Sequence, residues 1–291
     1  MDLIRGIVAA PVLPMTEDFE ADWRGLRDYL RWLVPQGPTA VAMNMDAAEG
    51  PALSVEERLR AIEVAREAAD GRCPVWSGLI AGSTKEAVQQ AQALARAGAQ
   101  GLAVFPPMPT FMGEPLPWQL PFEYHRAIAE ATGLPLCLFQ FARGLGPSYS
   151  NEALCRLAEI PEVVAVKEAT FDAARLVDTL QALRDAPRPL AVLTGSDTFL
   201  CEAYILGAHG ALIGFGAIAL DLQVKMFEAV QQRDYQQALA IWDRIGPMAR
   251  MMWGPPLRDY RPRLKEALVV RDRHERRTIR RLLGHAGLLP A

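Results

Sequence analysis

The residue whose type and position best suit covalent chemistry is Lys167. It closes the apolar run 161–167, Pro-Glu-Val-Val-Ala-Val-Lys, whose β-branched residues predict a buried strand. The chain has only four lysines against 27 arginines, and the other three, Lys85, Lys225 and Lys265, lie on predicted helices. A lysine that loses solvation at a strand end has a lowered pKa and supplies the neutral amine that attacks a carbonyl carbon. The pattern indicates Schiff-base chemistry, with a buried ion pair to Glu168 or Asp197 as the structural alternative.

Eight short apolar runs alternate with amphipathic stretches along the chain. Runs that are apolar throughout, each followed by a helical pattern, predict parallel strands covered by crossover helices. Eight units in about 230 residues fit a TIM (β/α)8 barrel, for which about 250 residues is typical. A doubly wound open sheet is the alternative, but no Gly-rich dinucleotide turn follows the first run. The runs are 7–12, 40–43, 75–79, 101–105, 136–139, 163–167, 191–194 and 211–214.

The predicted organisation is a (β/α)8 barrel over residues 1–232 and a C-terminal helical extension over residues 233–291 that packs on the barrel. Helical patterns cover 23–33, 55–69, 84–97, 151–160 and 174–183 in the barrel. Three more, at 235–245, 257–270 and 275–283, form the extension. The last is rich in arginine, which indicates a solvated helix face, with an anion or subunit contact as the alternative.

Composition excludes several classes of function. The formal net charge of −3 and the pI of about 5.9 show no electrostatic footprint for nucleic acid. No apolar stretch reaches the roughly 20 residues of a membrane span, and the N-terminus lacks a signal-peptide pattern, so we expect a cytoplasmic protein without a membrane partner. Four isolated cysteines and unpaired histidines predict neither disulfides nor a metal site.

Three segments carry a family resemblance. They are residues 6–14 (Gly-Ile-Val-Ala-Ala-Pro-Val-Leu-Pro), 49–58 (Glu-Gly-Pro-Ala-Leu-Ser-Val-Glu-Glu-Arg) and 163–169 (Val-Val-Ala-Val-Lys-Glu-Ala). They resemble the dihydrodipicolinate synthase and N-acetylneuraminate lyase family of class I aldolases and dehydratases, over residues 5 to about 250. The resemblance implies a Schiff base between Lys167 and a 2-oxo acid, no metal or organic cofactor, and a homo-oligomer, either dimer or tetramer.

The chain departs from the family pattern where protons are moved. The family's Gly-Thr-Thr-Gly-Glu after the second strand is replaced by residues 45–49, Met-Asp-Ala-Ala-Glu, so both hydroxyls are lost. Asp46 then brings a negative charge to the place where a substrate carboxylate should bind. The family's tyrosine after the fifth strand falls on Phe139, and its tyrosine pair after the fourth falls on Pro107 and Met108.

Asp46 is the predicted replacement for the missing proton relay. A carboxylate in an apolar barrel mouth can act as general acid or base, and capping of a loop or helix amide is its structural alternative. Glu49 and Tyr149 are weaker candidates, since loop hydrogen bonding suits Glu49 and a contact near a helix start suits Tyr149. Because TIM-barrel sites lie at the carboxyl ends of the strands, we predict substrate contacts from Ala47, Glu49, Phe139, Arg143, Ser196 and Leu212.

The predicted function is that of a lyase, of the aldolase or dehydratase type. It acts on a small carbonyl compound, such as a 2-oxo acid, through an imine on Lys167. A barrel that binds a small ligand without turnover is the alternative, because the usual proton relay is absent. A lysine-dependent isomerase or deaminase whose substrate lacks a carboxylate is a third interpretation, and Asp46 is the residue that favours it.

Overall fold

Eight parallel strands close into a barrel in chain order in the computed structural model, which describes residues 3–107, 117–141, 146–268 and 281–287. The strand order confirms the predicted TIM (β/α)8 barrel with a C-terminal helical extension. Each strand pairs with its neighbour in sequence, and β8 closes the circle on β1. The strands are β1 (Gly6–Ala9), β2 (Ala40–Met43), β3 (Val75–Leu79), β4 (Leu102–Val104), β5 (Leu136–Phe141), β6 (Val163–Ala169), β7 (Ala191–Thr194) and β8 (Gly210–Ile213).

The strand that carries Lys167 is longer than predicted. β6 runs on to Ala169, because it stays paired with an equally extended β5 up to the pair Phe141 and Ala169. Lys167 therefore lies inside a strand and not at its end. Side chains alternate along a strand, so Ala165, Lys167 and Ala169 face the barrel interior while Glu168 faces the surrounding helices.

Five of the eight barrel helices begin at polar caps. Ser54 and Glu57 form a capping box at the start of α2, and Ser83, Ser150 and Asp172 accept amide hydrogen bonds at α3, α5 and α6. Each such cap stabilises a helix start by about 1 kcal/mol. The helices are α1 (Trp23–Leu33), α2 (Val55–Ala69), α3 (Thr84–Arg96), α4 (Gln119–Thr132), α5 (Asn151–Leu157), α6 (Ala173–Arg184), α7 (Leu200–Ile205) and α8 (Leu220–Gln231).

Two apolar cores follow from strand alternation. The larger lies between the strands and the helices and holds most of the buried leucine and isoleucine side chains. The smaller fills the barrel interior, where short side chains such as Ala40, Ala103, Ala165 and Ala191 leave room above them at the carboxyl ends of the strands. This packing fixes the strand ends that form the site.

The C-terminal helices are α9 (Tyr235–Met252) and α10 (Tyr260–Leu268), followed by helical residues 281–285. α9 extends beyond the predicted end at residue 245 through Pro247, because Met248, Ala249 and Met252 continue its buried face. α10 starts after a 3-10 turn at Leu257–Asp259. The predicted helix at 275–283 falls mostly outside the described residues, and the domain boundary at residue 232 stays a prediction. Among the described helices, none has the length and apolar character needed to cross a membrane.

Candidate active site

A cavity of about 340 Å³ opens at the carboxyl ends of the barrel strands. Its walls come from the ends of all eight strands and from the segment that joins α9 to α10. This is the end of the barrel at which TIM-barrel active sites are built. The described lining residues are Ala10, Met45, Asp46, Ala47, Pro51, Ile80, Phe105, Phe139, Phe141, Lys167, Ala169, Phe171, Gly195, Asp197, Gly214, Trp253, Leu257 and Tyr260.

Lys167 extends into this cavity over the ring of Phe139. Its Nζ lies 4.6 Å from the ring centroid, within the range of a cation–π contact. It forms no ion pair with any described residue. Glu168 accepts the Thr170 amide (3.1 Å) on the other face of β6, and Asp197 accepts the Phe215 amide (2.7 Å). The two carboxylates that the sequence offered as ion-pair partners of Lys167 are thus held by backbone amides.

Burial sets the protonation of the amine. It lowers the pKa of the Lys167 ammonium, and the negative charge of Asp197 is the largest opposing effect. Burial also raises the pKa of Asp197 to about 7, against the Phe215 amide and the Lys167 charge, which both lower it. A lysine whose pKa is lowered has more of the neutral amine that can attack a carbonyl carbon.

Gly195, directly after β7, leaves the space through which the lysine side chain passes. A Cβ added at this glycine would lie 2.7 Å from Lys167 Cε and 2.7 Å from Ala169 Cβ. Those distances are too short for nonbonded carbon atoms. The direction of Lys167 therefore depends on a residue without a side chain on the neighbouring strand.

Asp46 begins a 3-10 turn at Asp46–Ala48, in the loop that follows β2. The Tyr260 hydroxyl donates a hydrogen bond to its Oδ2, and Arg261 Nη2 donates to its Oδ1 at 2.8 Å. Its carboxylate therefore binds two side chains of α10. It does not cap a loop or helix amide of the described residues, which was the structural alternative. Arg261 compensates the negative charge that Asp46 brings to the site.

Tyr260 is a site residue that the sequence did not predict. Its ring stacks on Trp253 (5.4 Å between centroids, 26° between planes) and lines the same cavity as Lys167. Burial, and next the adjacent Asp46 charge, raise the pKa of its hydroxyl, which keeps it a hydrogen-bond donor. The predicted site residues all lie on predicted strands or just after them, whereas Tyr260 lies on α10, 214 positions from Asp46. The only signal was the place of an aromatic residue in the extension.

Of the other residues predicted to contact the substrate, some line the cavity and others do not. Ala47 and Phe139 line it. Glu49 instead pairs with Lys265 of α10, which is a contact to the C-terminal extension and not the loop hydrogen bond that the sequence favoured. Ser196 accepts the Phe171 amide at 3.1 Å, and Leu212 is completely buried in the barrel interior. The cavity thus lacks the side chains of three predicted residues because each is held by a structural contact.

Two further predicted positions have different outcomes. Tyr149 is buried with its ring 6.0 Å from that of His125, so it belongs to the outer core and does not reach the cavity. Arg143 lies outside the described residues, as does Met108. Within the described part of the chain, no three His, Cys, Asp or Glu side chains gather in a way that could hold a metal ion.

Comparison with known proteins places the chain in a family. The model of the dihydrodipicolinate synthetase family matches residues 3–284. The 4-hydroxy-tetrahydrodipicolinate synthase of Azoarcus sp. (strain BH72) is 32% identical over 252 residues, covering 86% of this chain and 84% of that protein. That of Thiobacillus denitrificans is 31% identical over 245 residues, covering 84% and 80%.

A solved structure shows the same relationship. The chloride-inhibited dihydrodipicolinate synthase of Acinetobacter baumannii, complexed with pyruvate, superposes with a TM-score of 0.85 at 28% identity, covering 98% of this chain and all of that one. The chain therefore belongs to the dihydrodipicolinate synthetase family and is a lyase of the Schiff-base, class I aldolase type.

Proposed function

We propose that Lys167 is the amine that forms the Schiff base, with pyruvate or a related 2-oxo acid as its carbonyl partner. The observation that carries this proposal is the position of Lys167, which faces the cavity with a pKa lowered by burial and without an ion pair to a described residue. The neutral amine adds to the carbonyl carbon and water leaves. The resulting iminium accepts the electron pair of a breaking bond next to it and becomes an enamine.

Asp46 and Tyr260 together move the protons in this proposal. When a substrate hydroxyl loses its proton, Tyr260 Oη accepts it and passes its own proton along the existing hydrogen bond to Asp46. Asp46 then holds the proton until the reverse transfer returns it through Tyr260 to the enamine carbon. Arg261 donates a hydrogen bond to the same carboxylate and compensates its charge.

The turn at Asp46–Ala48 offers a place for the substrate carboxylate. Ala48, Glu49 and Gly50 donate their amides to backbone carbonyl groups. Among the described residues, none accepts the amide hydrogen of Ala47, which is therefore free to donate to a carboxylate. Because Arg261 compensates the charge of Asp46, that charge is no longer an objection to a substrate with a carboxylate. The interpretation as an isomerase or deaminase thereby loses the feature that favoured it. The barrel without turnover is not favoured by family membership.

Reductive trapping tests the proposal. The protein is incubated with pyruvate, reduced with sodium borohydride and weighed by intact mass spectrometry. We expect one stable pyruvate adduct per chain in the wild type and in Lys225→Ala, which removes an exposed lysine paired with Asp221. Lys167→Ala should give none. An adduct of equal yield in Lys167→Ala would refute Lys167 as the imine-forming residue.

A homo-oligomeric assembly, dimer or tetramer, and a cytoplasmic location complete the proposal. Apolar side chains remain exposed at the end of α7 and on α9, namely Ile205, Leu206, Tyr235 and Leu239. All four cysteines are free, as is usual in a reducing compartment. Sedimentation velocity at micromolar concentration checks the assembly, and a single monomeric species would contradict it.

A further inference from the structure

Aromatic residues are far more frequent in the described cavity lining than in the sequence as a whole. Six of its eighteen described lining residues are aromatic, whereas aromatic residues make up 8% of the sequence. Three come from the barrel, Phe105, Phe139 and Phe141, and two from the C-terminal segment, Trp253 and Tyr260. The sixth, Phe171, follows β6. Such a lining favours a ligand that can cover flat apolar faces.

The rings form two stacked groups. Phe105 and Phe139 lie 4.0 Å apart at 17° between planes, with Phe141 4.7 Å from Phe139. Trp253 and Tyr260 stack on the C-terminal side. Because the amine of Lys167 lies above Phe139, a carbonyl group bound to this amine has aromatic faces beside it.

Phe171 is held at the cavity in a costly conformation. Its φ is +56°, in the left-handed region that bulky residues rarely adopt. The Ser196 hydroxyl accepts its amide at 3.1 Å and helps to keep it there, and 39% of the residue remains exposed. The exposed ring is therefore available to a ligand.

Among the described lining residues, the charges disfavour a substrate with a second carboxylate. Lys167 is the only cationic side chain in the described lining, and the imine uses it. Asp46 and Asp197 are acidic, and Arg261 is occupied by Asp46. A distal carboxylate would lie against carbon atoms, without a described cation that is free to compensate it.

We infer that the aldehyde which this enzyme adds to, or releases from, the Lys167-bound 2-oxo acid carries an aromatic group. This inference rests on the proposed function. In the cleavage direction, the bond between C3 and C4 of a 4-aryl-4-hydroxy-2-oxo acid breaks and its electron pair moves to the iminium. The C4 hydroxyl proton passes through Tyr260 to Asp46, and the aryl aldehyde leaves. The returning proton converts the enamine to an imine, which water hydrolyses to pyruvate and the free amine.

A pair of aldehydes tests this specificity. The wild-type enzyme is supplied with pyruvate and either benzaldehyde or succinic semialdehyde, and the condensation products are quantified by mass spectrometry. We expect kcat/KM to be at least about tenfold higher for benzaldehyde, the range over which an apolar pocket discriminates. Equal or better use of succinic semialdehyde, or no product from benzaldehyde, overturns the inference.

Two matched variants test whether the Phe171 ring contributes to the preference for an aromatic aldehyde. Phe171→Asn removes the ring but keeps a residue that tolerates positive φ, so the fold should be retained. We expect a KM for benzaldehyde three- to tenfold higher, with the pyruvate adduct unchanged. Phe19→Asn is the control, since Phe19 also has positive φ (64°), is 85% exposed and does not line the cavity. An equal response of both variants contradicts a role for the Phe171 ring.

The borohydride experiment separates this inference from the proposed function. Without a pyruvate adduct on Lys167, both fail. With the adduct but without preference for the aromatic aldehyde, the Schiff-base function stands and the inference about the substrate is wrong.

Discussion

At the scale of single residues, the site combines a desolvated amine with a carboxylate whose charge is compensated. Lys167 faces an apolar cavity, which favours its neutral form. Asp46 is bound by one phenol and one guanidinium, and stays in the same cavity. The two groups can therefore divide the reaction: the iminium on Lys167 accepts the electron pair of the breaking bond, and Asp46 accepts the proton that the substrate releases.

Tyr260→Phe tests whether the tyrosine hydroxyl belongs to the proton path. The variant keeps the ring that stacks on Trp253 and loses only the donor to Asp46. We expect kcat to fall about 100-fold or more, as for loss of a general acid or base, while borohydride still traps the pyruvate imine. Steady-state kinetics and trapping on the same preparations measure the two effects.

Two comparisons separate this role from a structural one. Tyr235→Phe alters an exposed tyrosine on α9 and should leave kcat unchanged. If Tyr260 and Asp46 act as one unit, Tyr260→Phe combined with Asp46→Asn should be hardly slower than either single variant. Multiplicative losses in the double variant, or a change in KM alone, would contradict a shared proton path.

At the scale of elements, the site depends on how closely β6 and β7 approach. Gly195→Ala would place a methyl group against Lys167 Cε and Ala169 Cβ. The lysine must then turn away, and a misplacement of about 1 Å can lower a rate about 100-fold. We expect a comparable loss in the rate of imine trapping, together with a loss of about 1–3 kcal/mol in stability from overpacking.

Gly101→Ala is the matched control for this variant. A Cβ at Gly101 would lie 2.6 Å from Trp76, directly before β4 and at the opposite end of the barrel from the cavity. We expect a similar loss of stability in thermal unfolding but normal trapping by Lys167. Equal trapping rates for both variants would show that Gly195 does not position the lysine.

The elements show what the sequence could predict. Apolar runs predicted β2, β3 and β7 to the residue, because a buried strand leaves a continuous pattern. The end of β6 could not be predicted, since it depends on pairing with β5. Likewise, Asp46 follows a strand and was found, whereas Tyr260 reaches the site only through the packing of α10 on the barrel mouth. Long-range packing of this kind leaves no periodic signal.

At the scale of the whole molecule, the buried carboxyl group of Asp197 lowers the free energy of unfolding by an amount that depends on pH. Burial raises the pKa of Asp197 from its usual 3.8 to about 7. Between these values the unfolded chain binds fewer protons at this residue than the folded chain does. The free energy of unfolding therefore falls as pH rises from about 4 to about 7, by a few kcal/mol in order of magnitude.

Asp197→Asn should remove that pH dependence while its amide oxygen still accepts the Phe215 amide. We expect the variant to be more stable than the wild type at pH 8, and the difference to shrink at pH 5, where Asp197 is protonated in the folded chain. Urea unfolding at both pH values measures it. Asp70→Asn, at an exposed position ending α2, controls for the loss of one carboxylate and should show no such change. A gain at pH 5 as large as that at pH 8 would contradict the raised pKa, because the benefit would then come from packing and not from the charge that burial penalises.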